Sequence, residues 1–119
     1  NIMISLNISL PSAIMTRAII TITEGKTAAL QDLGIADVNN GLPATGTGTD
    51  GITLITNPDA PRYTDAGTFS VLGSLLASAA YETVRECLEL YDKPWNRDDS
   101  LATPPAVDLS RLRNKECGH

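Results

Sequence analysis

Two short stretches carry most of the polar chemistry in this chain. Thr23 to Leu30 reads T-E-G-K-T-A-A-L, and Ala44 to Asp50 reads A-T-G-T-G-T-D. The first brings a carboxylate, an ammonium and two hydroxyls close together. The second sets Thr45, Thr47, Thr49 and Asp50 around Gly46 and Gly48. Glycine removes side-chain bulk, so backbone N–H groups there can face a ligand. Threonine hydroxyls can donate, accept or attack, and Asp50 can act as acceptor, base or metal ligand. If the segment is extended, alternation puts Thr45, Thr47 and Thr49 on one side. A Thr-rich strand edge with glycine bulges is the plainer reading of the same letters.

Gly25-Lys26-Thr27 also looks like the end of a phosphate-binding loop. That loop needs G-x-x-x-x-G-K-[ST], because successive backbone N–H groups must wrap a phosphate. The position of its first glycine holds Ile20, and A-I-I-T-I-T before Glu24 is too bulky for a tight turn. A phosphate ligand on the Gly/Thr segment is a lesser alternative.

Other chemistries are disfavoured by composition. The one histidine is His119, the last residue, so a Ser-His-Asp triad or a zinc hydrolase site is not expected. The net charge of −5 argues against nucleic acid or an anionic membrane as partner. Cys87 and Cys117 suggest neither a disulfide framework nor a zinc cluster, and two free thiols fit a reducing, cytoplasmic setting. No metal and no cofactor is indicated.

The elements that must position these groups follow from periodicity. Residues 2–9 read as a strand. Ser12 is a candidate N-cap for a helix from Ala13 to Leu33, stopped by Gly34. Asp37 to Pro43 is loop, and the Gly/Thr segment runs into a strand, Gly51 to Thr56. Asn57 to Pro61 turns the chain, and Thr68 or Ser70 caps a second long helix ending near Tyr91. Its expected apolar stripe is Phe69, Leu72, Leu76, Ala79, Ala80, Cys87 and Leu90, with small residues in the first half that let another element approach.

On a wheel of the first helix, Met15, Ile19, Ile22, Ala29, Leu30 and Leu33 share a face, with Lys26 in its middle and Glu24 pointing away. Either the lysine stem packs and its ammonium snorkels to water, or the lysine is held at a site. Gly25 allows close backbone approach or a kink.

The expected fold is α/β or α+β, a mixed sheet with two long helices packed on it and an incomplete domain. Residues 1–93 form that domain, and 94–119 a polar, largely disordered tail. The chain opens on N-I-M-I-S-L-N, within the first expected strand, so an upstream segment or a second copy is expected to pair with it.

Taken in order, these motifs resemble the adenosylcobinamide amidohydrolases. E-x-K-T-A-A-L on a long helix precedes A-T-G-T-G-T-D entering an apolar strand. Arg62-Tyr63, Gly67-Thr68, Leu72-Gly73 and Tyr81-Glu82 follow as the family's R-Y, G-T, L-G and Y-E series does, over roughly residues 1–91. Gly25 stands where the family more often has Ala, and the family domain has an upstream half that this chain lacks.

The resemblance implies hydrolysis of the amide that joins aminopropanol to the corrin ring, giving adenosylcobyric acid for coenzyme B12 salvage. It implies a small-molecule corrinoid substrate in an open cleft. The alternative is a non-catalytic or ligand-binding half-domain whose activity needs the upstream segment. Under the hydrolase reading, Glu24, Lys26, Thr47 and Asp50 are the catalytic candidates. Either a threonine hydroxyl attacks with Lys26 or a carboxylate as base, or a carboxylate activates water. Backbone N–H groups around Gly46 and Gly48 are candidates for the oxyanion hole. Thr27, Thr45 and Thr49 are further polar candidates, and Arg62 and Tyr63 are candidates for the substrate periphery.

Overall fold

The computed structural model describes residues 1–91; the expected tail, 94–119, with Cys117 and His119, lies outside them. Four elements follow one another: β1 (Ile2–Leu6), α1 (Ser12–Asp32), β2 (Ile52–Thr56) and α2 (Val71–Tyr91). The two strands pair in parallel, Ile2 opposite Ile52 and Leu6 opposite Thr56. The sheet among the described residues is thus a two-stranded parallel pair with both long helices packed on it, an α+β arrangement.

β1 is shorter than the strand expected over 2–9. Its partner β2 ends at Thr56, where Asn57-Pro58 turns the chain away. Ser9 then pairs alone with Arg62, and Asn57 reaches back, its N–H donating to the Ile8 carbonyl at 3.0 Å. Alternation along each strand sends Ile2, Ile4 and Leu6, with Ile52 and Leu54, to the core face. Met3 and Ile55 point outward and are exposed.

α1 starts one residue earlier than expected. Pro11, extended, occupies the cap position, its carbonyl accepting from the N–H groups of Ile14 and Met15 at 2.9 Å, and no side chain caps this end. At the other end Gly34 takes a φ of 66°, the left-handed turn that glycine allows at a helix stop. α2 is capped by Ser70, whose Oγ accepts the Gly73 N–H at 3.0 Å. Thr68, the other cap candidate, bonds Glu24 instead.

The buried face of α1 is Ala18, Thr21, Ile22, Gly25 and Ala29. It is rotated from the face that the large apolar residues mark, and Ile19 is exposed. The reason is the size of the side chains. α2 packs where α1 is smallest, and a Cβ on Gly25 would overlap the Ala77 carbonyl oxygen. Gly25 therefore serves close approach within a continuous helix, and the flank of Ile19, Lys26 and Leu30 is left to border a groove.

α2 buries Leu72, Gly73, Leu76 and Ala80. Phe69, expected in its stripe, precedes the helix and is fully exposed, and Cys87 and Leu90 are exposed as well. α1 ends at Asp32, which meets α2 at Tyr81 through a 2.8 Å hydrogen bond, so the last turns of α2 run on past their partner. The core joins Leu10, Ala18, Ile22, Ala66, Leu72, Leu76 and Ala80. Thr21, fully buried, satisfies its hydroxyl by donating to the Ala66 carbonyl at 2.7 Å.

Candidate active site

The Gly/Thr segment crosses the flank of α1 just before it enters β2. Two consecutive α1 residues hold it. The Lys26 ammonium pairs with Asp50 Oδ2, and the Thr27 hydroxyl donates to the Thr45 carbonyl at 3.3 Å. Within the segment, Thr47 Oγ1 donates to the other Asp50 oxygen, Oδ1, at 2.7 Å, and the Asp50 N–H bonds the Thr47 carbonyl at 3.3 Å. Gly48 and Thr49 form the turn, so the alternation expected of Thr45, Thr47 and Thr49 ends there.

Lys26 is mostly covered, its side chain 14% exposed, so its ammonium is held by Asp50 rather than released to water. The Lys26 hydrogen bond, followed by that of Thr47, lowers the Asp50 carboxyl from its usual 3.8 to about 2. Asp50 is a carboxylate throughout the neutral range. Among the described residues, the backbone N–H groups of Gly46, Thr47, Gly48 and Thr49 have no protein acceptor.

Lys26, Gly46, Thr47 and Asp50 line one part of a groove of about 740 Å³. Its remaining walls are largely apolar, from Ile2 and Ile4 on β1, Leu30 on α1, and Val84 and Leu88 on α2. Thr23 and Thr83 add hydroxyls, though Thr23 spends its own on the Ile19 carbonyl at 2.8 Å. Thr83 was not among the residues singled out above. Its signal is its place on α2, three residues past buried Ala80 and four before Cys87, which lines the same groove.

Not all of the expected residues converge. Glu24 lies on the far side of α1, accepting from the Thr68 hydroxyl at 2.9 Å. Arg62 and Tyr63 pair with Ser9 beyond the C-terminal end of β2, whereas Asp50 precedes its N-terminal end. Thr49 is exposed at the turn. Gly25-Lys26-Thr27 lies wholly within helix, which leaves no phosphate loop there. Among the described residues, no three His, Cys, Asp or Glu side chains gather as a metal site would require, and no helix is long and apolar enough to cross a membrane.

A family model described as adenosylcobinamide amidohydrolase matches residues 1–95. An uncharacterized protein of Methanocaldococcus jannaschii is 41% identical over 95 residues, which cover 78% of this chain and 36% of that relative. The chain therefore spans little more than a third of the length of that relative. No solved structure matches it.

Proposed function

The chain belongs to the adenosylcobinamide amidohydrolase family, and from this we propose that it hydrolyses the amide linking aminopropanol to the corrin ring of adenosylcobinamide. The products are adenosylcobyric acid and aminopropanol, a salvage reaction of the cytoplasm. The observation that carries the reading is the meeting of Lys26, Thr47 and Asp50 along an apolar-walled groove. A mostly apolar cleft with a few convergent polar groups is the usual form of a small-molecule site.

Each group has a task in amide cleavage. Thr47 Oγ1, its proton directed at Asp50 Oδ1, keeps its lone pairs free to attack the amide carbonyl carbon. Asp50 orients Thr47 and Lys26 and, though a weak base at about 2, takes the Thr47 proton as the new C–O bond forms and passes it to the departing nitrogen, directly or by recharging Lys26. The Lys26 ammonium stabilises the charge that develops on the carbonyl oxygen, or supplies a proton to the departing amine. The N–H groups of Gly46 and Thr47, which line the groove and have no protein acceptor among the described residues, are further candidate oxyanion donors. C–N cleavage leaves an ester on Thr47, which water then hydrolyses to the carboxylic acid and the free hydroxyl. Direct attack by water, activated by a carboxylate, is the competing route.

The test is to incubate the protein with adenosylcobinamide and quantify aminopropanol and adenosylcobyric acid. Stoichiometric release of both supports the reading. The span of only 36% of the relative's length favours one second reading, a corrinoid-binding part whose chemistry needs a further segment or a second copy. Tight corrinoid binding without release of aminopropanol is the result that favours it.

A further inference from the structure

Gly46 and Gly48 are two letters apart and read alike in the sequence, yet their surroundings differ. Neither has the positive φ that demands glycine, so an alanine fits the backbone at both. At Gly48 an added Cβ meets nothing within 4 Å. At Gly46 it would overlap Asp50 Oδ2 and come within 2.7 Å of Lys26 Nζ. The backbone of Gly46 thus lies directly against the paired charges, between the Thr27 tether at Thr45 and the Thr47–Asp50 bond.

We infer that Gly46 is a positioning residue of the site, whose bare α-carbon lets the Gly/Thr segment close over the Lys26–Asp50 pair. A side chain at this position displaces the Asp50 carboxylate and crowds the Lys26 ammonium, so the pair re-forms in a shifted geometry or the segment lifts from α1. Lifting it also draws Thr47, which is bonded to Asp50, away from Lys26. The bare α-carbon therefore fits the observed pair geometry at Gly46, whereas at Gly48 an added methyl meets nothing.

The consequence for activity rests on the amidohydrolase reading, so the experiment reads the pair itself as well as turnover. In the full chain, the Asp50 carboxyl is titrated by carbon-detected NMR in the parent, Gly46→Ala and Gly48→Ala. In the parent and in Gly48→Ala it titrates near 2. In Gly46→Ala it moves up towards the ordinary 3.8, and kcat for amide cleavage falls about a hundredfold, the scale of a small misplacement of reacting groups. An Asp50 that stays near 2 in Gly46→Ala overturns the inference. A raised value with unchanged turnover upholds it and removes the pair from the chemistry.

Urea unfolding keeps the inference testable if Gly46→Ala folds poorly. The midpoint lost on Gly46→Ala must be largely restored when the substitution is made in a Lys26→Ala/Asp50→Ala background, where the obstructing atoms are gone. An equal loss in both backgrounds contradicts the inference.

Discussion

Asp50 receives a charge on one oxygen and a hydroxyl on the other, and this sets its response to acid. Its carboxyl titrates near 2 in the folded chain against 3.8 ordinarily, so the folded state binds this proton less readily than the unfolded state. Its contribution to stability is complete above the unfolded value and is lost as pH falls from there towards 2. Asp50→Asn, measured by urea midpoint at about pH 5 and about pH 2, will show a smaller acid-side drop than the parent. Equal drops would mean that the pair does not form in solution. Glu24 lies across α1 from the groove and bonds Thr68, so Glu24→Ala will lower turnover less than Lys26→Ala does. The reverse order, from parallel steady-state assays, would return Glu24 to the chemistry.

Contact between α1 and α2 depends on the absence of side chains. Helix propensity alone would make Gly25→Ala stabilising by about 1 kcal/mol. Here the added methyl meets the Ala77 carbonyl, so the net effect will be a loss of about 1–3 kcal/mol in urea unfolding. Thr21→Val keeps the shape but strands the Ala66 carbonyl, and about 1–2 kcal/mol of destabilisation is expected by the same measurement.

The four elements were legible in the sequence because each has a strong period and a stop signal, Gly34 and Asn57-Pro58 among them. The face of α1 was not fully legible. A wheel built on large apolar residues passes over Ala18, Thr21 and Gly25, which are buried. Lys26 consequently moves from the middle of the supposed core face to its edge. Lys26 and Asp50 each stood out as candidates, but 24 positions separate them and no local rule predicts their pairing. The difference between Gly46 and Gly48 was invisible for the same reason, since it depends on what crosses above the helix.

For the molecule as a whole, the two-stranded sheet and the overhanging end of α2 enclose a groove with polar groups along one part of its lining. Under the proposed function, the ligand lies in this apolar-walled groove with its reactive amide at the Gly/Thr segment. The proposed role of Lys26, Thr47 and Asp50 is to act on that amide. Its most direct test is the rate of aminopropanol release from adenosylcobinamide by the parent and by Lys26→Ala, Thr47→Ala and Asp50→Ala, with corrinoid binding followed by absorbance in the same samples. Each substitution is predicted to cut the rate about a hundredfold or more while the corrinoid still binds. Near-parental rates in all three would contradict the account and put the chemistry elsewhere.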